Sequence, residues 1–240
     1  MLRSTLLAAV VAGFAAGLVL TAVQRYEVVP IILEAETYER TTAAGHTTDT
    51  TADQAHADEA ARHAHGDGEW APLDGLERTF WTAIANIGAG VGFALLLCAA
   101  YAWRGRVELR EGVLWGIGGF AVFFVNPAFG LAPEIPGAAT AELGARQAWW
   151  IATVLCTAAG LALIVFRRSS TAALAGAALC LAPHVVGAPL PAAAGGNAPL
   201  ALAHAFVGAA YVANAVFWVV LGLASAYCFA RFTRAEHTDA

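Results

Sequence analysis

Six long apolar stretches determine what this chain can fold into. They cover about residues 6–23, 79–103, 112–127, 147–166, 171–187 and 202–229. A helix that crosses the hydrocarbon core of a bilayer needs about 20 predominantly apolar residues, so each stretch is a candidate membrane span. The sequence therefore predicts an all-α polytopic integral membrane protein, a six-helix transmembrane bundle with one long outer loop over residues 24–78.

The composition supports this fold class and excludes several functions. Hydrophobic residues make up 59% of the 240 residues and charged residues 13%, and the mean hydropathy is +0.62. Soluble domains average about 45–50% apolar and about 25% charged residues. All thirteen basic residues are arginine, so the chain has no lysine for a Walker-A loop, a Schiff base or a Ser–Lys dyad. We expect neither an enzyme nor a cofactor, and the net charge of −5 disfavours nucleic-acid binding.

The placement of arginine predicts the orientation, because cytoplasmic flanks of membrane helices collect arginine. With the N-terminus inside, the inner segments carry eight arginines and four acids, and the outer segments carry five arginines and fourteen acids. The opposite orientation would place the loops RGRVELR and FRRSS outside. The sequence thus predicts one membrane domain over residues 1–240 in the bacterial inner membrane, with both termini in the cytoplasm. We expect the first helix to be retained, because no clean A-x-A cleavage site follows its apolar run.

Small residues and cysteines in the apolar stretches are interpreted as packing residues. Glycines spaced for close helix contact are Gly13, Gly17, Gly88, Gly90, Gly92, Gly112, Gly116 and Gly119. The cysteines Cys98, Cys156, Cys180 and Cys228 lie far apart and form no CxxC motif. Tryptophans near the predicted outer boundary, Trp70, Trp81, Trp149 and Trp150, are typical of an aromatic belt.

The outer loop combines acidic residues with histidines. Residues 24–78 carry twelve acids, four arginines and four of the seven histidines. Imidazole and carboxylate together suit Co²⁺, Ni²⁺ and Zn²⁺, so His63 and His65, beside Asp67 and Glu69, form a candidate capture cluster. The alternative is a solvated acidic loop that binds nothing specific. The segment VVPIILEAETYE at its start is predicted to be a short amphipathic piece at the outer membrane surface.

Polar side chains inside the apolar stretches are costly and are functional candidates. In the predicted topology Asn86, Asn126, His184 and His204 all fall in the outer part of the membrane, which predicts an outward-facing polar funnel. Spans three and five also end alike, in NPAFGLAPEIPG and APHVVGAPLP. Their first prolines free backbone carbonyls beside Asn126 and His184, a pattern that indicates a substrate path. Simple helix termination at the membrane interface is the alternative.

The chain resembles the CbtA family of predicted cobalt transporter subunits. The resemblance runs through nearly the whole chain. It includes VVPIILEAETYE, EWAPLDGLERTFWTAIANIGAGVGFALLL, VLWGIGGF, PAFGLAPEIPG, ARQAWWIAT, LAPHVVGAP and LAHAFVGAAYVANAVFWVVLG. Asn126 stands where a small apolar residue is expected in this family, so its candidacy comes from this chain's own sequence.

The resemblance implies a role in Co²⁺ uptake for cobalamin synthesis, beside a small single-span, histidine-bearing CbtB-type subunit. It also implies Glu34, Glu36, His184 and His204 as matching polar positions. The residues alone support a divalent cation and do not select Co²⁺ over Ni²⁺ or Zn²⁺. Membrane lipid is expected around the bundle, and association into a homo-oligomer is left open.

Three functions compete at this point. The first is a membrane subunit for divalent-cation uptake, with capture by the loop and passage near the polar positions. The second is a non-transporting membrane partner that senses or scaffolds metal for another subunit. The third is a membrane enzyme that uses His184 and Glu134 as acid and base, although nothing in the sequence orients that pair.

Overall fold

The computed structural model describes residues 2–45, 72–105, 107–192, 195–196 and 198–238, and most of this part is helical. The helices are α1 (Leu2–Val23), α2 (Val29–Gly45), α3 (Leu76–Arg104), α4 (Leu109–Phe120), α5 (Asn126–Ala128), α6 (Leu143–Arg167), α7 (Ser170–Val186) and α8 (Leu200–Thr238). The described residues contain no strand, only an isolated bridge between Ala138 and Gly196. The predicted all-α fold is confirmed.

Within the described residues, five helical stretches are long and apolar enough to cross a membrane. They are Leu2–Thr41, Leu76–Arg104, Leu109–Ala128, Leu143–Arg167 and Leu200–Arg234. The apolar helix α7 has only 17 residues. At about 1.5 Å per residue it is roughly 26 Å long, slightly less than the hydrocarbon core of about 30 Å. These helices coincide with the six apolar stretches, so the protein is a polytopic membrane protein.

The first helix extends beyond its predicted end at Val23. A π-helical turn, Gln24–Val28, connects α1 to α2, so residues 24–45, which the sequence places in the outer loop, are helical. Pro30 follows this turn by two residues, and Pro127 follows the second π-helical turn, Ala121–Val125, by the same distance. A proline ring collides with the carbonyl four residues earlier, and a wider π turn relieves that collision. The helix can therefore pass each proline without breaking.

Glycines bring three pairs of helices into backbone contact. Gly13 and Gly17 of α1 lie against α3, and a Cβ on Gly17 would lie 2.6 Å from Ile87 Cα. Gly112 and Gly116 of α4 meet Gly222 of α8, and Gly160 of α6 meets Gly176 of α7. The predicted role of these glycines in α1 and α4 is confirmed.

The glycines of α3 behave differently from one another. Gly90 packs on the backbone of Gly13, whereas Cβ atoms on Gly88 and Gly92 would meet nothing within 4 Å in the described part of the chain. Of the three glycines predicted to permit close approach in α3, only Gly90 is in a close contact.

Aromatic contacts fix the relative directions of the helices. Phe93 packs on Trp218, and Tyr101 packs on Phe229, so α3 and α8 run in the same direction. The glycine contacts show that α1 is antiparallel to α3, α4 to α8 and α6 to α7. The chain turns at residues 105–108 and 168–169 lie at one end, which we call the arginine-rich end, and the connections 129–142 and 187–199 lie at the other, the loop end.

Local caps define where the helices begin and end. Gly105 ends α3 with φ of 84°, a left-handed conformation that favours glycine. Glu142 begins α6 by accepting hydrogen bonds from the backbone N–H groups of Gly144 and Ala145, both at 2.7 Å. These bonds favour the carboxylate and lower the pKa of Glu142 below its ordinary value. Ser169 caps α7 in the same way through Ala172 N–H.

Candidate functional site

Asn126 and His184 meet at the loop end of the bundle. Asn126 is the first residue of α5, directly after the π-helical turn, and His184 lies in the last turn of α7. His184 Nε2 is 3.2 Å from Asn126 Oδ1. Two of the intramembrane polar residues predicted from sequence are thus brought together, from positions 58 residues apart.

The neighbours of Asn126 determine the tautomer of His184. Asn126 Nδ2 donates to Thr157 Oγ1 at 2.6 Å and to the carbonyl of Cys180 at 3.2 Å. The Thr157 hydroxyl uses its hydrogen on the Thr153 carbonyl, at 2.6 Å, so it can only accept from Asn126. Asn126 therefore presents its carbonyl oxygen to the imidazole, and His184 Nε2 carries the proton. The lone pair of Nδ1 is left as a ligand for a cation.

Aromatic rings and a proline enclose this histidine. The ring of Trp149 lies 5.6 Å from that of His184, and the ring of Phe129 lies 6.4 Å away. Trp149 Nε1 donates to the carbonyl of Pro183 at 3.2 Å. Trp149 is buried, and its indole N–H is satisfied inside the protein; its place in an aromatic belt stays a prediction. We call Asn126, His184, Thr157, Thr153 and Trp149 the His184 network.

Asn86 belongs to a separate group of hydrogen bonds. Its Nδ2 donates to Gln24 Oε1 at 2.7 Å and to Thr21 Oγ1 at 3.1 Å, which links α3 to the end of α1. A small cavity of about 100 Å³ is lined by Thr21 and Gln24, the two partners of Asn86, and also by Arg78 and Asp74. The structure therefore places Asn86 in this group of hydrogen bonds and not in the His184 network.

The two glutamates predicted on α2 differ in their surroundings. Glu36 Oε1 accepts from Arg78 Nη2 at 2.8 Å, and Arg78 also pairs with Asp74 at 3.2 Å. Glu34 has an exposed side chain. The carboxylate of Glu34 is accessible to a cation from solution, whereas that of Glu36 is held by an arginine.

The remaining predicted positions are not joined to these groups. His204 has an exposed side chain near the start of α8. His63 and His65, with the rest of the candidate capture cluster, lie outside the described residues. Glu134, considered as a partner of His184 in an enzyme, instead pairs with Arg146 at 2.8 Å. The predicted funnel that joins all four intramembrane positions stays a prediction.

A cluster of aromatic rings lies closer to the arginine-rich end than the His184 network. Phe93, Phe123 and Trp218 pack together, with ring centroids 4.9 to 5.5 Å apart, and Phe217 joins them. Phe123 is three residues before Asn126. The rings come from α3, from α8 and from the second π-helical turn, so the cluster fills the space between these three segments.

One supporting residue was not predicted from the sequence. Thr157 accepts from the amide of Asn126, whereas Thr153 contributes only the backbone carbonyl to which the Thr157 hydroxyl donates. No sequence signal marks Thr157, because a threonine hydroxyl in a helix ordinarily donates to a carbonyl one turn earlier. The four cysteines, interpreted as packing residues, are all free thiols, and Cys98 and Cys228 are buried.

The chemistry available at the His184 network is that of weak cation binding. Within the described residues, no three or more His, Cys, Asp or Glu side chains are grouped so that they could hold a metal ion. A cation at His184 would therefore have one imidazole nitrogen, with carbonyl oxygen and water as further ligands. Such a donor set is suited to an ion in passage, because it does not retain the ion as a closed structural site does.

Comparison with known proteins identifies a family. A family model described as "probable cobalt transporter subunit (CbtA)" matches residues 2–230. No curated protein and no solved structure matches the chain.

Proposed function

We propose that this chain, which belongs to the CbtA family of probable cobalt transporter subunits, forms the membrane path for uptake of a divalent transition-metal cation. The family description assigns transport, not catalysis, and the word subunit implies partner subunits. Co²⁺ destined for cobalamin synthesis is the proposed cargo, and Ni²⁺ and Zn²⁺ are the competing ions. A CbtB-type single-span subunit is the proposed partner, in the bacterial inner membrane.

The observation that carries this proposal is the oriented imidazole of His184. Hydrogen bonds from three helical segments fix its Nε2–H on Asn126, so the Nδ1 lone pair is presented without competition from a proton on that atom. Neutral imidazole is a ligand for Co²⁺, Ni²⁺ and Zn²⁺. Metal-ligating histidines ordinarily have their second ring nitrogen held in this manner.

A route through the molecule can be proposed around this centre. Exposed Glu34, together with His63 and His65, would collect cations at the loop end, where acidic residues raise their local concentration. Glu36, Asn86 and His204 would lie along the entrance, and Asn126 with His184 would bind the partly dehydrated ion. The aromatic cluster then blocks the path towards the arginine-rich end, so the cation can pass only if Phe123 moves. Phe123 sits in a π-helical turn, which is a site where helices adjust at low cost.

The membrane potential is a sufficient driving force. One elementary charge that crosses 100 mV gains about 2.3 kcal/mol, so a divalent cation gains about 4.6 kcal/mol. This corresponds to about three decades of accumulation, at about 1.4 kcal/mol per decade. Uptake therefore needs no nucleotide site in this chain.

The test is Co²⁺ flux into vesicles that contain the purified chain, with and without the partner, under an imposed inside-negative potential. H184A should reduce the initial rate at least tenfold, because it removes the oriented nitrogen. H204A is the matched histidine variant outside the network and should retain more uptake than H184A.

Two outcomes would count against the proposal. Unchanged flux in H184A would remove the network from the mechanism. If flux requires the partner and is the same for wild-type and H184A chains, the chain is a non-transporting partner that senses or scaffolds metal.

A further inference from the structure

The packing of α3 and α8 against each other and against α1 buries two thiols and two hydroxyls on the arginine-rich side of the aromatic cluster. Cys98, Tyr101 and Ser225 are fully buried, and Cys228 is 7% exposed. Each helix contributes two of them three residues apart, so each pair lies on one helix face. The parallel register that sets Phe93 on Trp218 and Tyr101 on Phe229 places the two faces at the same depth.

The two hydroxyls stand out among these four buried groups. Neither Tyr101 Oη nor Ser225 Oγ has a hydrogen-bond partner in the described part of the chain, and both are buried. All four cysteines are free thiols. The ring of Tyr101, three residues after Cys98 on α3, lies 5.7 Å from that of Phe229, which directly follows Cys228 on α8. Buried hydroxyls are nearly always hydrogen-bonded, so two without a partner beside two thiols indicate a functional donor set.

We propose that Cys98 and Cys228 form a buried site for a thiophilic divalent cation such as Co²⁺ or Zn²⁺, with the oxygens of Tyr101 and Ser225 as the remaining ligands. Two sulfurs and two oxygens match the four-coordinate geometry of these ions. The inference rests on the proposed function in one respect: the site would be the next binding site for a cation that has passed the aromatic cluster.

Charge balance favours this site at its depth in the membrane. Each thiol loses its proton when it binds the metal, and the two protons pass to water at the arginine-rich end. Two thiolates and one divalent cation sum to zero net charge, so the loaded site avoids the cost of an uncompensated charge in a low-dielectric interior. The His184 network provides only neutral ligands, and it cannot neutralise the ion in this way.

Co²⁺ itself is the probe for the test, because Co²⁺ bound to thiolate has a near-ultraviolet charge-transfer band and four-coordinate Co²⁺ has intense visible bands. Titration of the purified full-length protein with CoCl₂ should produce both bands with one ion per chain. C98S/C228S should lose the charge-transfer band. C156S/C180S removes the other thiol pair and is the matched control, which should retain it.

Several outcomes would overturn the site. These are absence of the band in the wild-type protein, its survival in C98S/C228S, and its loss in C156S/C180S. If C98S/C228S does not fold, C98A and C228A each remove one thiolate and should each lose about half of the band intensity; full intensity in both would contradict the site.

The readout is independent of transport. A band without flux leaves the thiol site standing and removes the proposed function. Co²⁺ flux without the charge-transfer band would remove the thiol site and leave the proposed function standing.

Discussion

At the scale of single residues, neutral hydrogen bonds and not a charge orient the candidate ligand. His184 is held by Asn126, Asn126 by Thr157, and Thr157 by the Thr153 carbonyl. Asn126 Nδ2 donates to two acceptors, Thr157 Oγ1 and the Cys180 carbonyl, so the amide cannot turn over without loss of both bonds. A carboxylate in place of Asn126 would bring a charge into the membrane, whereas the amide orients the imidazole without that cost.

Thr157 therefore acts on the imidazole through Asn126. We expect T157V to raise the Co²⁺ concentration at half-maximal uptake by about fivefold, because one lost hydrogen bond corresponds to about 1 kcal/mol. The maximal rate should change less, since His184 is still present. Concentration-dependent uptake into vesicles measures both quantities.

T153V is the matched control for this variant. Thr153 lies one turn earlier on α6 and is equally buried, but its hydroxyl donates only to the Trp149 carbonyl. T153V should leave the Co²⁺ concentration at half-maximal uptake nearly unchanged. Equal shifts in the two variants would indicate a general effect of threonine loss on α6 and would contradict the positioning role.

The sequence could identify some of these residues and not others. Asn126 and His184 are recognisable because an amide or imidazole in an apolar membrane span has a high free-energy cost. Such a residue is therefore a functional candidate. Thr157 is not recognisable from the sequence, because threonine is common in membrane spans. Its hydroxyl there ordinarily donates to a backbone carbonyl of its own helix. The proposed pairing of Cys98 with Cys228 depends on the register of α3 on α8, which no local sequence pattern encodes.

At the scale of helices, backbone contact between glycines holds the bundle together. Lipid tails are as apolar as leucine, so burial of apolar side chains adds little to association inside a bilayer. Gly13 on Gly90, Gly112 on Gly222 and Gly160 on Gly176 provide close approach at three crossings instead. Hydropathy and glycine spacing predicted the helices and the contacts of α1 and α4. They did not predict that the first helix continues through residues 24–45, because its charged residues there are also typical of a surface loop.

Gly90 gives a direct test of these contacts. We expect G90A to destabilise the protein by about 1–3 kcal/mol, because its Cβ would collide with the Gly13 carbonyl and overpack the crossing. Thermal unfolding in detergent, monitored by the loss of the helical circular dichroism signal, measures the change in stability.

The two neighbouring glycines of α3 are the controls. Cβ atoms on Gly88 and Gly92 meet nothing within 4 Å in the described residues. G88A and G92A should therefore be neutral or stabilising by up to about 1 kcal/mol, since alanine is the better helix former. A G90A protein as stable as these two would show that the α1–α3 crossing does not depend on close approach.

At the scale of the whole molecule, the two ends of the bundle differ in charge. The short turns at 105–108 and 168–169 and the end of α8 are rich in arginine, and the loop end carries most of the acids. The net charge of −5 divides into about +4 and −9 between the two sides of the predicted topology. The His184 network lies at the acidic end and the proposed thiol site nearer the arginine-rich end, so an inward-moving cation would meet neutral ligands before thiols.

This order requires that the arginine-rich end faces the cytoplasm. We expect green fluorescent protein fused to either terminus to fluoresce, because it folds in the cytoplasm, and alkaline phosphatase fused after Pro191 to be active, because it requires the outer side. Both results follow from the excess of arginine on the inner segments. A fluorescent fusion after Pro191, together with non-fluorescent fusions at both termini, would show that the protein has the opposite orientation in the membrane. The acidic end would then face the cytoplasm, where it could not collect an incoming cation, and the proposed direction of transport would be wrong even if His184 binds Co²⁺.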